Sequence, residues 1–332
     1  MFNKFIWIYI FPILFISPIL SLSMNSWFSI WISLELNLMM FIPLIIFFNK
    51  YHKELAIKYF IVQAFSSSML IIFSNMLMMF NSNFYLTWIN LMINMSLLIK
   101  IGAPPFHSWF VKLMSNFNWL NCLILSTWQK IIPFIMLSYS FSPLIIFISV
   151  ILSSLIGSIF GTNHSSLRLI FSYSSINHIS WLLMNILINE NSWIFYFFTY
   201  FILNFSVMMI FHQFNIYYMN QILFINKKFK YIIFFNFFSL SSLPPMYGFM
   251  IKWFSIFILF QKLFYTVVMI LIFLSLFTFL FYTRIIIYIL TMYKNENKLS
   301  IFNKMLSLNN SSFFYISIMF FFNLWILNIW LI

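Results

Sequence analysis

Lys100-Ile101-Gly102-Ala103-Pro104-Pro105-Phe106-His107 interrupts a long apolar segment with a lysine, a helix-permissive glycine and two helix-breaking prolines. Each proline lacks an amide hydrogen and clashes with the carbonyl four residues back, so a helix passing through this stretch opens between Gly102 and Pro105 and leaves carbonyls free beside an ammonium group. Open backbone at bilayer depth is tolerated only where it is buried in protein or lines a watery cavity. A second stretch repeats the device: Ser241-Ser242-Leu243-Pro244-Pro245-Met246-Tyr247-Gly248-Phe249-Met250-Ile251-Lys252, with Gly248 close behind the prolines. Here the lysine follows the break instead of preceding it. Two broken helices, each with a lysine, point to an ion path.

Composition sets the class. Over 332 residues, 64% are hydrophobic and 6% charged, which describes a polytopic all-α membrane protein and excludes a soluble core of this size. The net charge of +13 would suit a nucleic-acid partner if it formed a basic face. The cations are instead dispersed singly among apolar runs, so they read as topology signals facing a lipid bilayer, with no nucleic-acid role. Cys122 is the only cysteine and lies in an apolar run. The chain therefore cannot build a disulfide, an iron-sulfur cluster or a thiolate metal site of its own, and any redox chemistry belongs to a partner. Phe 49, Met 22 and Tyr 17 against Gly 4 favour AT-rich codons, the bias of a small organellar genome. Residues 1–10 show no Arg-rich amphipathic presequence, which favours synthesis inside the organelle.

Apolar runs of spanning length fall near residues 5–22, 27–48, 59–80, 84–112, 119–139, 143–161, 168–189, 192–214, 231–260, 264–290 and 313–332. The expectation is about eleven transmembrane helices in a single domain over 1–332, with a first repeat at about 5–139, a second at about 143–290 and a C-terminal helix at 313–332. The connectors are then placed alternately on side A, with the N-terminus, or on side B. Side A receives Lys4, Lys50, Lys53, Lys58, Lys112, Arg168, Lys227, Lys228, Lys230, Arg284, Lys294, Lys298 and Lys304, and side B only Lys262. That asymmetry makes side A the cytoplasm-equivalent face, the matrix in a mitochondrion. The double-proline breaks fall in the fourth and ninth spans. An odd separation inverts direction, so the chain reads as two inverted repeats. Simple proline kinks are the competing reading.

The charges left inside the spans are Glu35, Lys100, Lys130 and Lys252. Each costs roughly 2.5–3.5 kcal/mol at the bilayer centre, on the order of 10 kcal/mol together, which packing alone gives no reason to retain. A buried lysine holds or loses its proton according to how near a carboxylate lies, so each is a proton switch; Glu35, the one acid within a span, is the natural modulator. Snorkelling to the interface is the alternative for each lysine. Lys100 and Lys130, on consecutive spans, are expected to approach each other. His178 lies in the polar run Ser172-Tyr173-Ser174-Ser175-Ile176-Asn177-His178, which reads either as a hydrated relay between the two broken-helix sites or as a satisfied buried histidine. His164 and His178 lack the matching pair that a haem site needs.

The segments Leu34-Glu35-Leu36-Asn37, Lys100 to Trp109, Thr127-Trp128-Gln129-Lys130-Ile131-Ile132-Pro133, Ser174 to His178 and Leu243 to Trp253 resemble the antiporter-like subunits of respiratory complex I, NADH:ubiquinone oxidoreductase, in their animal mitochondrial form. The resemblance runs from about residue 27 to 260. It implies a proton-translocating subunit of the mitochondrial inner membrane with no cofactor of its own, driven by redox chemistry elsewhere and partnered by the other membrane subunits. It also implies that Glu35 and Lys100 form a modulating pair, that Lys130 is a linking lysine and that Lys252 is a terminal proton site. The chain departs from the family pattern where Pro104 replaces an alanine, Val111-Lys112 a proline-acidic pair and Ser241-Ser242 a double glycine. A stand-alone cation/proton antiporter and a structural membrane anchor remain the rival readings at this stage.

Overall fold

The computed structural model describes residues 9–48, 53–79, 83–140, 142–188, 190–225, 227–244 and 246–291. Lys4, Lys50, Pro245, Lys294, Lys298, Lys304 and the expected helix at 313–332 lie outside the described residues. Within them the chain is helical throughout: α1 Phe11–Ser23, α2 Trp27–Phe48, α3 Lys53–Met79, α4 Asn83–Ile101, α5 Ser108–Asn116, α6 Trp119–Ser126, α7 Ile131–Tyr139, α8 Pro143–Thr162, α9 Leu167–Ile186, α10 Glu190–Phe214, α11 Lys227–Leu240, α12 Tyr247–Gln261 and α13 Tyr265–Thr291. Seven segments are long and apolar enough to cross a membrane, and shorter apolar helices accompany them. Pairing α4 with α5, α6 with α7 and α11 with α12 yields ten traversals among the described residues. Their positions follow the first ten apolar runs of the sequence.

The buried apolar residues divide into two contact clusters, and the division follows the alternation of the chain. One cluster takes Leu38 to Ile45 from the end of α2, Leu55 to Tyr59 from the start of α3, Phe110 to Met114 of α5, Leu167 to Ile176 of α9, Leu203 to Phe211 of α10, Ile233 to Leu240 of α11 and Phe281 to Ile289 of α13. The other takes Ile30 and Leu34, Leu70, Ile89 to Ile101, Ile132 to Leu137, Ile179 to Ile188, Trp193 to Phe197, Ile251 and Leu259, and Val268 and Leu271. Successive helices therefore run in opposite directions through the same two layers. The described side A cations, such as Lys58, Lys112, Arg168, Lys230 and Arg284, flank residues of the first layer, whereas Lys262 follows Leu259 of the second.

The layering explains why the lysine precedes one break and follows the other. α4 belongs to the second layer and α5 to the first, but α11 belongs to the first and α12 to the second. The two broken helices thus cross in opposite senses, and Lys100 and Lys252 both sit on the second-layer half of their own helix.

α9 lies at the centre. Of its 20 residues only Arg168, Leu169 and Tyr173 escape burial, although it carries Ser172, Ser174, Ser175, Asn177, His178, Ser180 and Asn185. It is too polar to qualify as a span by hydropathy, and only the surrounding helices make its position tenable. Inside hydrocarbon the hydrophobic effect cannot drive helices together, so close packing of small residues must. α8 carries Ser149, Ser153, Gly157 and Gly161, one per turn and all buried; Gly157 admits the α9 backbone, and Gly161 admits Phe281 of α13. A Cβ on Gly157 would stand 2.7 Å from the Asn177 nitrogen and 2.8 Å from the Tyr173 carbonyl oxygen. The α9 serines return their hydroxyl protons to carbonyls of the preceding turn, as in Ser175 to Ser172 at 2.7 Å and Ser180 to Asn177 at 2.6 Å, which satisfies them without a partner helix.

Two outcomes follow from this packing. Gly157→Val should destabilise the chain by about 1–3 kcal/mol through overpacking, read as a lower thermal midpoint, whereas substitutions at exposed Ile148 should not. A membrane-impermeant amine reagent should modify Lys53 and Lys112 from one face of the membrane and Lys262 only from the other; all three on one face would contradict the alternation.

Candidate functional site: a polar seam between two apolar layers

The first break is a capped helix end. Gly102 adopts φ +76°, a left-handed conformation that costs glycine little. Its N–H bonds the Ile99 carbonyl at 3.2 Å, and the Ala103 N–H bonds the Leu98 carbonyl at 3.0 Å, the paired 5→2 and 6→1 bonds of a Schellman end. Pro104 and Pro105 then prevent continuation, and the Phe106 N–H turns back to the Ala103 carbonyl at 2.9 Å. Side chains take up further carbonyl capacity: Trp109 Nε1 donates to Ile99 O at 3.1 Å, and Gln63 Nε2 donates to Lys100 O at 3.3 Å.

The second break repeats this bond for bond. Ser242 N–H bonds Ser239 O at 3.0 Å, Leu243 N–H bonds Phe238 O at 3.3 Å, and Met246 N–H bonds Leu243 O at 2.8 Å. Ser242 occupies the glycine's place at φ +60°. A left-handed conformation costs a non-glycine residue roughly 1–2 kcal/mol, and the Ser242 hydroxyl is shielded from solvent without a hydrogen-bond partner among the described residues. The departure from a double glycine therefore leaves the geometry of the break intact and adds strain to it. Gly248 follows because α12 starts against the end of α11: a Cβ there would overlap the Ser239 carbonyl.

A third interruption was not legible as a break. The run 119–139 reads as one span, but α6 stops at Ser126 and a 3-10 turn, Trp128–Lys130, intervenes before α7. Pro133 lacks the N–H that would bond Gln129 O and its ring crowds that carbonyl. Thr127 caps the end of α6, its Oγ1 donating to Leu123 O at 2.6 Å. The turn is pinned to the first three helices: Trp128 Nε1 donates to Leu14 O at 2.9 Å, Tyr59 Oη donates to Gln129 Oε1 at 3.1 Å, and Gln129 Nε2 donates to Asn37 Oδ1 at 3.1 Å. Pro133, four residues after Gln129, is the signal in the sequence.

The three interruptions place the ionisable residues at the seam between the layers. Lys100, Lys130, His178 and Lys252 are 6%, 2%, 7% and 7% exposed, so none of the three lysines snorkels out of the protein. Glu35, half-buried on α2, acts electrostatically on Lys100 and on Tyr59. The Lys130 ammonium has no hydrogen-bond partner among the described residues and lies 4.5 Å from the centre of the Phe110 ring. His178 feels the charges of both Lys130 and Lys252, and Lys252 Nζ lies 5.9 Å from the Trp181 ring. Phe110 stands beside two of the openings: its Cβ faces Gly102 and its ring lies against the Lys130 ammonium. The seam runs Glu35 and Lys100 at one end, Lys130 and His178 in the middle, and Lys252 at the other.

One group went unnoticed in the sequence. Tyr196 of α10 shares a 2.9 Å hydrogen bond with His178 Nδ1, and both residues line a cavity with Thr199, Ser239, Ser242 and Lys252. One tyrosine among 17 in a chain with 49 phenylalanines carries no signal of its own.

An all-α, multi-pass bundle with lysines buried at broken helices is a transport-type membrane protein. Residues 24–278 match the family described as "NADH:quinone oxidoreductase/Mrp antiporter, TM". The chain is 43% identical over 251 residues to NADH-ubiquinone oxidoreductase chain 2 of Anopheles gambiae, covering 72% of this chain and 73% of that one. It is 35% identical over 288 residues to the Locusta migratoria protein of the same name, covering 84% and 83%. In fold it is similar to a chain of respiratory complex I from Thermus thermophilus, with a TM-score of 0.77 at 17% identity over 82% of this chain and 68% of that one. It is likewise similar to a chain of the Mrp complex from Dietzia, with a TM-score of 0.70 at 13% identity over 83% and 59%. The chain belongs to the NADH:quinone oxidoreductase/Mrp antiporter family and, within it, to the NADH-ubiquinone oxidoreductase chain 2 proteins.

The two left-handed positions can be compared directly. Gly102→Ala should destabilise by about 1 kcal/mol or more, from φ alone and from the close Phe110 side chain, and Ser242→Gly should stabilise by about 1 kcal/mol. Thermal midpoints of the two variants in the membrane check this. A stabilising Gly102→Ala or a destabilising Ser242→Gly would contradict the geometry described.

Proposed function

We propose that this chain is a proton-translocating core subunit of the NADH:ubiquinone oxidoreductase of the mitochondrial inner membrane, with its N-terminus and side A facing the matrix. It works beside other membrane subunits and holds no redox cofactor; redox chemistry elsewhere in the complex drives it. Glu35 modulates Lys100, Lys130 receives the proton and links to His178, and Lys252 is the terminal site.

The observation that carries this reading is the Lys130 ammonium, 2% exposed and without a hydrogen-bond partner among the described residues. A cation at bilayer depth is costly to keep and packing alone gives no reason to retain it, whereas proton exchange does. A membrane anchor gains nothing from it. His178 beyond it feels a second buried lysine, which extends the exchange across the bundle. The relatives' name supports the assignment to NADH-ubiquinone oxidoreductase over a stand-alone antiporter.

Lys130→Met keeps a side chain of similar length without the ammonium. In assembled complex it should abolish proton translocation through this chain, read as protons moved per NADH oxidised. Glu35→Gln should slow turnover without blocking it, because the carboxylate acts on Lys100 only through its charge. Normal proton yield in an assembled Lys130→Met complex would contradict the assignment, and Glu35→Gln turnover at the unaltered rate would remove Glu35 from it.

A further inference from the structure

His178 and Lys252 line one cavity, and the groups that share it are specific. His178 Nδ1 is engaged by the Tyr196 hydroxyl at 2.9 Å. That hydroxyl belongs to a side chain 2% exposed, on a different helix from either titratable group. Tyr196 and Lys252 line the same cavity, which leaves about 10 Å3 for the centre of a water molecule, room for about one water. A buried water needs two to four polar partners. The Thr199 and Ser239 hydroxyls at the cavity wall are spent on carbonyls of their own helices, to Tyr196 O and Asn236 O, each at 2.7 Å. The Ser242 and Tyr200 hydroxyls have no hydrogen-bond partner among the described residues, and with Tyr196 and Lys252 they line the cavity, enough polar groups for one water. The strained left-handed backbone at Ser242 thereby holds a hydroxyl where the glycine of the first break has none.

We propose that the Tyr196 hydroxyl is a proton carrier between His178 and Lys252, acting through one water held by Ser242. This rests on the reading of Lys130, His178 and Lys252 as a proton path. The step balances without any charged phenol. A proton released by the Lys130 ammonium reaches the free ring nitrogen of His178 through water, and the proton on Nδ1 passes to Tyr196 Oη. The phenol's own proton leaves for the water, and a proton of the water passes to the neutral amine of Lys252. Lys130 ends as an amine, His178 and Tyr196 end neutral, and Lys252 ends as an ammonium; no electron moves. Rotation of the phenol hydroxyl and a return of the imidazole to its first tautomer reset the relay.

Tyr196→Phe removes one oxygen and keeps the ring that packs against His178, whose centroid lies 6.0 Å away. In the assembled complex this variant should slow proton translocation by about 10^2-fold, the scale on which a positioned proton-transfer group acts. Tyr196→His, which again offers a group able to accept and release a proton, should recover part of that loss; Tyr196→Leu should not. A purely structural role predicts the reverse order, with Phe close to the unaltered chain and His worse. Lys252→Met measured in parallel separates the two claims. If Lys252→Met is blocked while Tyr196→Phe pumps at the unaltered rate, the phenol relay is overturned and the lysine path stands. If Lys252→Met pumps normally, the lysine path fails and the relay fails with it. Should the Phe variant not assemble, the comparison of His with Leu decides alone, and equal pumping by the two overturns the relay.

Discussion

An ammonium group buried at membrane depth, with no hydrogen-bond partner among the described residues, is the constraint on which this structure depends. Lys130 is such a group, and Lys100 and Lys252 share its burial. Each costs a few kcal/mol at membrane depth unless polar groups or water surround it. The bundle meets the requirement by confining its polarity to one surface, the seam between two apolar layers. The layers stand between the seam and the two membrane faces, and the polar groups of the seam surround the lysines at membrane depth. α9 shows the same logic in one helix: too polar to cross lipid alone, it is stable only because Gly157 of α8 admits its backbone and other helices cover the rest.

Backbone is the second currency of the seam. Three helices open there, and every opening uses local means to satisfy what it frees. Left-handed residues at Gly102 and Ser242 turn amides back onto the last carbonyls, Trp109 and Gln63 reach across to others, and Thr127 covers a third end. The openings therefore need no lipid-exposed polar group, as membrane structure requires. Because the two double-proline breaks run in opposite senses through the layers, they deliver their lysines to the same side of the seam from opposite ends of the bundle. Lys130, at the third opening, stands between them with His178.

The parts of this arrangement written in local chemistry were legible in the sequence. The apolar runs located the helices, the proline pairs located two breaks, and the scattered cations ordered the connectors. Burial of all three lysines and the centrality of the polar run around His178 also followed from residue type. What failed depended on contacts between distant residues. Phe110 merely looks like packing in sequence, yet its ring lies against the Lys130 ammonium while its Cβ faces Gly102 at the first break. The opening before Lys130 was missed because the single Pro133 is a weaker signal than the paired prolines of the other two breaks. Ser242 was readable as a departure from glycine but not as a residue in the same left-handed conformation, since serine carries no conformational signature. Tyr196 had no local signal at all; its meaning comes from His178, eighteen residues earlier, and Lys252, on another helix.

The central claim is that the seam, and not the layers, is the wet and proton-bearing surface of the molecule. It is tested most directly by locating ordered water in the assembled complex by high-resolution electron cryo-microscopy. The account predicts density for water beside the Lys130 ammonium and in the cavity shared by Tyr196, Ser242 and Lys252, with none inside either apolar layer. A seam that is dry at both places, with the lysines paired instead to groups of neighbouring subunits, would contradict it.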